Sequence, residues 1–326
     1  MKGLVISGSR NIFTVRVEDE PALAPLECRI KGKVLKDAEG FYNPLAPGDR
    51  VSVEADPLRP GTGMILSPEK RRNVFTRFNQ KGGLPQLLAA NVDLILCVTS
   101  PASPPFRPRF LDRVLLQADA AGIEALIVCN KCDLDADLDA GERLEDFSRI
   151  GYQVLFVSAK TGAGLDKLRA LIDEKFSALV GQSGVGKSSL LKALLPGSNI
   201  RVGAINEKYD RGNHTTAMSV MVELPPYPGA ANVSGQKGGG RGTTRLIDTP
   251  GIRRFVPDGV VPDDIIFHMR EFAPLAGTCT YGLSCSHRTE PGCKIMEAVH
   301  AGVIHEDRYN SFLRIQDELS GKKYVN

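Results

Sequence analysis

Gly181-Gln182-Ser183-Gly184-Val185-Gly186-Lys187-Ser188 spells GxxxxGKS, a loop that joins a strand to a helix and cradles phosphate, and it lies past the middle of the chain. Two elements that ordinarily follow such a loop precede it here. Asn130-Lys131-Cys132-Asp133 reads as NKxD, a base-reading element, and Ser158-Ala159-Lys160 as its supporting loop. Asp248-Thr249-Pro250-Gly251, a metal-contacting element, comes last. This is the order of an α/β P-loop domain whose chain is circularly permuted. Permutation is tolerated because domain termini commonly lie close together and a short segment can join them. It changes the wiring, since the segment after Asp248 runs straight into whatever follows.

Each element carries a specific chemistry. Residues 177–180 read as the strand entering the phosphate loop and 188–195 as the helix leaving it. The amides of Gly181, Gln182, Ser183, Gly184, Val185 and Gly186, with Ser188 and Ser189 at the helix N-terminus, form a nest for phosphate oxygens. Lys187 reaches the β- and γ-phosphates, and the Ser188 hydroxyl ligates Mg²⁺. In NKxD the Asp133 carboxylate accepts from the N1–H and the exocyclic amine of guanine, neither of which adenine presents. Asn130 and Lys131 brace the loop and cover the base, while Ser158, Ala159 and Lys160 offer a backbone amide to the guanine carbonyl. The expected ligand is GTP or GDP with Mg²⁺. Cys129 and Cys132 also spell CxxC, but their overlap with NKxD assigns them to the base loop.

Asp248 is expected to hold Mg²⁺ through water, and the Gly251 amide to sense the γ-phosphate. Ile252 follows, where many GTPases place a glutamine that orients the attacking water. An alkyl group cannot do this, so slow hydrolysis by the isolated protein is expected. His214, in Gly212-Asn213-His214-Thr215-Thr216, is the candidate for that task, with a polar switch-loop residue of no chemical role as the alternative. Thr215 or Thr216 is expected to close over Mg²⁺, which makes Lys187, His214, Thr215 and Thr216 the expected catalytic set.

Upstream, short β-like runs at 4–6, 12–17, 27–34, 50–54 and 64–66 are divided by turns, the clearest being Asn43-Pro44-Leu45-Ala46-Pro47-Gly48-Asp49. Five strands in so short a stretch suit a small OB-type barrel over 1–69, with an SH3-like barrel as the alternative. Residues 70–81, Lys70-Arg71-Arg72-Asn73-Val74-Phe75-Thr76-Arg77-Phe78-Asn79-Gln80-Lys81, interleave five cations with two aromatics. That suits either RNA contact or a solvated linker. Beyond them strands at 92–98, 125–129 and 154–157 alternate with an apolar helical face at Phe110, Leu111, Val114, Leu115 and Ala118 and another at Leu165, Leu168, Leu171, Ile172 and Phe176. Such alternation implies a parallel sheet covered on both faces, with ligand beyond the carboxyl ends of its strands. This permuted domain is taken to span 70–258. Residues 225–242, rich in Pro and Gly, read as a flexible loop.

Residues 259–326 form a third unit. Cys279-x5-Cys285-x-His287-x5-Cys293 offers three thiolates and one imidazole, the count that closes a tetrahedral Zn²⁺ site and makes it structural. Tyr309, Phe312, Leu313, Gln316 and Leu319 then recur at helical spacing, an amphipathic helix expected to pack on the metal module. His300 and His305 lie outside the cluster and read as ordinary surface residues.

Composition bounds the rest. A chain of 326 residues, 42% apolar, can bury several cores, and a net charge of +3 requires any nucleic-acid partner to be met by local patches. The first apolar run breaks at Ser7-Gly8-Ser9-Arg10, too early for a signal-peptide core, and no run approaches the ~20 residues of a membrane span. A cytoplasmic monomer without membrane contact is expected, its seven cysteines reduced or metal-bound.

The barrel, the permuted order, the GxHTT of Gly212 to Thr216 and the Cys-Cys-His-Cys module together resemble the circularly permuted small-ribosomal-subunit biogenesis GTPases of bacteria. Ala89-Ala90-Asn91-Val92-Asp93, Asp248-Thr249-Pro250-Gly251-Ile252-Arg253 and Glu290-Pro291-Gly292-Cys293 add to the likeness, which spans nearly the whole chain. Ala217 departs from the family's threonine run, and residues 225–242 are longer than its pattern. The resemblance implies a GTP hydrolase that binds the 30S subunit and its 16S rRNA late in maturation and is stimulated there. A GTP-dependent translation or tRNA-modification factor, or an RNA-binding scaffold that merely retains nucleotide, would share the nucleotide motifs.

Overall fold

The structure, a computed structural model, describes residues 1–9, 11–20, 22–31, 40–135, 138–195, 219–227 and 243–321. His214, Thr215 and Thr216 lie outside the described residues, as does most of the 225–242 loop.

The N-terminal strands are β1 (Lys2–Ser9), β2 (Ile12–Val17), β3 (Leu26–Ile30), β4 (Arg50–Ala55) and β5 (Thr62–Pro68). They pair in the order β1-β2-β3-β5-β4, and β4 returns to pair with β1, so the sheet closes on itself. The β3–β5 pairing is parallel while the others are antiparallel, the Greek-key closure of an OB-type barrel. Alternate residues Phe13, Val15 and Val17 of β2 point inward onto Leu26, Val51, Val53 and Ile65, as a strand with period-two side chains requires.

The basic stretch is neither a linker nor a free stacking surface. Residues of β6 (Val74–Asn79) and β7 (Leu84–Ala90) form a hairpin. Phe75 is fully buried, 5.7 Å from Phe255 between ring centroids. Arg71 donates to the buried Asp49 of the barrel (2.6 and 2.9 Å) and to the Pro44 carbonyl, and Arg72 donates to Asp93 at 2.6 Å. Arg71 thus ties this segment to the barrel, and Arg72 ties it to the residues that lead into the next strand.

There the strands β8 (Leu94–Thr99), β9 (Glu124–Asn130), β10 (Gln153–Val157), β11 (Phe176–Gly181) and β13 (Arg245–Asp248) pair in parallel, in the order β10-β9-β8-β11-β13. The antiparallel β12 (Val220–Glu223) covers the far edge and meets β1 of the barrel at Ser7, so one sheet runs through both units. All six residues of β8 are buried, as a strand covered on both faces must be. Ile95 and Cys97 face the core that holds α1 (Pro108–Ala120) and α2 (Leu138–Arg149). Leu94, Leu96 and Val98 face the core of α3 (Leu165–Leu171) and α4 (Lys187–Ala193).

Two departures from expectation have local causes. Phe176, expected on a helical face, opens β11 instead. The helix ends at Leu171, Glu174 takes φ +56° to turn the chain, and Asp93 draws Phe176 into the sheet through bonds of 2.8 and 2.7 Å. The helix α2 has no counterpart in the sequence reading, although Ala140, Leu144 and Phe147 mark its buried stripe.

The C-terminal unit holds short 3₁₀ turns, α5 (Lys294–His300) and α6 (Glu306–Leu319). Phe312 stacks on Phe272 at 5.0 Å between centroids, so the apolar stripe of α6 is spent on the unit's own core. His305 is more than a surface residue, because its Nδ1 accepts from the Asp307 amide at 3.1 Å and caps α6. No helix among the described residues is long and apolar enough to cross a membrane.

Candidate functional site

Because β8, β9, β10, β11 and β13 are mutually parallel, their carboxyl ends share one edge. Asn130 closes β9, Ser158 follows β10, Gly181 closes β11 and Asp248 closes β13. Four segments separated by up to 118 positions in the chain thus meet at one edge.

Asn130 joins three of them. Its Nδ2 donates to the Val185 carbonyl at 2.9 Å and its Oδ1 accepts from the Ala159 amide at 3.0 Å. Only 1% of Asn130 is exposed, and a carboxamide can bond both ways from one rigid plane. Lys131 spans the phosphate loop, donating to the Gly184 carbonyl at 2.8 Å and the Ser103 carbonyl at 2.6 Å. Ser103 had no signal in the sequence, since only its carbonyl is used.

The Asp133 carboxylate accepts from Ser158 Oγ at 2.5 Å and lies 3.9 Å from Lys160 Nζ. The Ser158 hydrogen bond, helped by Lys160 and Lys131, holds its carboxyl below the usual range, so it stays an acceptor. Ser158 is itself fully buried and takes the Thr161 amide at 3.1 Å, which fixes the loop.

Gly184 and Gly186 adopt φ of +84° and +94°, where a side chain would be strained. A Cβ on Gly186 would lie 2.3 Å from Asn130 Nδ2, so the close approach of base loop to phosphate loop requires glycine. The Lys187 ammonium is buried and donates to the Gly181 and Gln182 carbonyls at 2.8 and 2.9 Å. Ser189, one turn into α4, is exposed.

Ser188 donates from Oγ to Asp248 Oδ2 at 3.0 Å, with Asp248 only 1% exposed. That bond aims the hydroxyl proton at the carboxylate and leaves the Oγ lone pairs for a hard cation. Gly251 sits against the phosphate loop, where a Cβ would come 2.8 Å from Ser183 Cα. Ile252 donates its amide to the Gly181 carbonyl at 3.2 Å, and its side chain is buried with Phe255 beneath α1. It therefore faces the core.

The second centre is the C-terminal cluster. The ligand atoms of Cys279, Cys285, His287 and Cys293 all lie within 4.8 Å of one another, and all four residues are buried. Cys279 Sγ to Cys293 Sγ is 3.9 Å, and His287 Nδ1 is 3.6 and 3.5 Å from those sulfurs. A tetrahedral ion with metal–sulfur bonds near ~2.3 Å sets edges of about 3.8 Å, and slightly less toward nitrogen. The three spacings among Cys279, His287 and Cys293 match, with the Cys285 sulfur within 4.8 Å of them. Burial pushes the Cys285 thiol up to about 12 and the Cys293 thiol upward, so deprotonating the set requires a cation among them. Burial lowers His287, favouring the neutral imidazole that can ligate. Glu290 orders the turn by accepting from the amides of Ser286 and Arg288 at 2.8 and 2.9 Å.

A model of the RsgA GTPase family matches residues 68–256. The small ribosomal subunit biogenesis GTPase RsgA of Chlorobaculum parvum is 35% identical over 326 residues, covering 98% of each chain. That of Moorella thermoacetica is 36% identical over 296 residues, covering 91% of each. The crystal structure of YjeQ from Thermotoga maritima superposes with a TM-score of 0.68 at 28% identity, over 99% of each chain. YloQ, a circularly permuted GTPase, gives a TM-score of 0.62 at 24% identity over 100% of this chain and 96% of its own.

Proposed function

The chain belongs to the RsgA GTPase family, a GTP-hydrolysing enzyme of small-ribosomal-subunit biogenesis, and from that premise we propose how its residues divide the work. The observation that carries the assignment is Asn130, hydrogen-bonded at once to the Val185 carbonyl of the phosphate loop and to the Ala159 amide of the loop that fixes Asp133. Base reading and phosphate binding are thereby held at one fixed separation, as a single guanine nucleotide needs.

In this reading Asp133 accepts from guanine, with Asn130, Lys131, Ser158, Ala159 and Lys160 enclosing the base. The amides from Gly181 to Ser189 hold the phosphates, and Lys187 turns from its loop carbonyls toward the β- and γ-phosphates. Ser188, Asp248 through water, and Thr215 or Thr216 would hold Mg²⁺, which would supply charge neutralisation on the phosphate oxygens. Gly251, already against Ser183, reads whether the γ-phosphate is present. Ile252 is buried in the core, so the attacking water is ordered by His214 or by the partner. Zn²⁺ is the ion proposed for Cys279, Cys285, His287 and Cys293, on the tetrahedral spacing given above.

We take the chain to work as three units, 1–69, 70–258 and 259–326, in a cytoplasmic monomer whose partner is the 30S subunit through its 16S rRNA. What supports the partner is the naming of relatives 35% identical over almost the whole chain. The deciding experiment is GTP turnover with purified 30S, with 50S and alone. Stimulation by 30S only is expected; equal rates in all three would overturn the reading. His214→Ala should lower the 30S-stimulated rate and leave GTP affinity nearly intact.

A further inference from the structure

The segment that follows Gly251 lines a cavity of about 450 Å³, closed on its other sides by the start of α1 and by Gln182 of the phosphate loop. Arg107, Arg109, Arg113, Arg253 and Arg254 line it against a single carboxylate, Asp307, and no lysine is among the lining residues. Arg113 and Arg254 are both held by Glu318 of α6, Arg254 at 2.5 Å. The remaining three, Arg107, Arg109 and Arg253, are exposed, and their guanidinium groups make no ion pair or hydrogen bond with any described residue. Like charges this close repel one another, and nothing in the fold accounts for gathering them: Arg107 stands at the N-cap of α1 without a side-chain cap bond, and none of the three pairs across units.

We propose that this cavity receives the sugar–phosphate backbone of an RNA strand. The proposal rests on the reading that the small subunit is the partner, and deepens it by naming a contact surface. Guanidinium is a flat fork that takes two phosphate oxygens at once and is more weakly hydrated than ammonium, so an all-arginine lining suits phosphodiesters better than a diffuse lysine patch would. Phe106, half-buried at the cavity wall, adds a ring on which a base can stack. The volume lies within the ~300–1,000 Å³ of ligand-holding clefts. Backbone contact positions a partner without reading its sequence, which suits a surface whose one carboxamide, Gln182, is buried in the phosphate loop. The place has a consequence: a phosphate here competes with Glu318 for Arg254, three residues beyond Gly251.

The test uses the full chain carrying R107E/R109E, with affinity for 30S and for protein-free 16S rRNA measured across a salt series. Binding to both is expected to weaken at least about tenfold at low salt. The slope of log affinity against log salt should become shallower by about 1.5, two contacts' worth of released counterions. GTP turnover without ribosomes should be unchanged, which also reports that the variant is folded; if it is not, R107A/R109A replaces it, with about half the loss. Unchanged affinity and slope would overturn the proposal. So would a loss on 30S without a loss on protein-free 16S rRNA, which would place a ribosomal protein's carboxylates in the cavity. Failure of the underlying reading looks different, because the unaltered protein itself would then show no preference for 30S.

Discussion

Asp133 is the residue we propose to carry guanine recognition, and its environment keeps it an acceptor. The hydroxyl of Ser158 donates to it at 2.5 Å, and burial of Ser158 denies that hydroxyl any competing water. Asp133→Asn replaces one acceptor oxygen by a donor facing two guanine donors. GTP affinity is expected to fall at least about hundredfold, while a xanthine nucleotide, which presents a carbonyl where guanine has its amine, should gain relative to GTP. Titration calorimetry with both nucleotides checks it, and an unchanged preference for GTP would remove Asp133 from the base site. Asn130, Lys131 and Asp133 of NKxD were legible in the sequence because the motif is written in side-chain chemistry. The Ser103 carbonyl that receives Lys131 was not, because a backbone acceptor leaves no trace in residue identity.

At the scale of elements, α6 decides how the C-terminal unit is attached. Arg308, 1% exposed, donates to Asp112 of α1 at 2.7 Å and to both oxygens of Glu271 at 2.5 and 2.9 Å. Burial alone would lower the pKa of its guanidinium, but the two carboxylates outweigh it and hold the charge in place. Breaking a buried group of this kind by removing one partner leaves unpaired charge, at a cost of about 3–5 kcal/mol. Arg308→Ala is therefore expected to lower stability by that amount in urea titration, with α6 losing its amide protection before α1. An effect below about 1 kcal/mol would mean that the unit is held by its apolar contacts instead. The amphipathic stripe of α6 was readable from its spacing, but its buried arginine was not. Sequence patterns place arginine in water, and only the packed neighbours show that it is fully paired.

At the scale of the whole molecule, one continuous sheet links the barrel to the nucleotide domain, while the Cys3His cluster lies inside a unit made largely of turns. The core of that unit includes three of the four cluster residues alongside Phe272, Phe312 and Ile315. With the proposed ion in place, its fold and its metal would be coupled. Removal of the ion by a chelator is expected to unfold residues 259–321 and to weaken 30S binding. The nucleotide site, whose strands do not depend on it, should keep guanine affinity within about threefold. The binding energy of a structural zinc, about 10–16 kcal/mol in small domains, is far more than a unit of this size can replace. Circular dichroism with and without chelator, beside nucleotide titration, reads both outcomes; parallel loss of nucleotide binding would show that the two centres are one cooperative unit.

The sequence by itself determined the permuted order, the parallel α/β domain, the motifs of the base and phosphate loops and the grouping of three cysteines with one histidine. Each of these follows from local spacing, or from a side chain whose chemistry has few substitutes. Tertiary structure alone decided the convergence of four distant segments on one edge, the use of Arg71 as a tie between units, the burial of Ile252 in the core and the gathering of arginines beside the phosphate loop. Those are relations between residues far apart in the chain, and they come into being only when strands pair and surfaces are packed out of water.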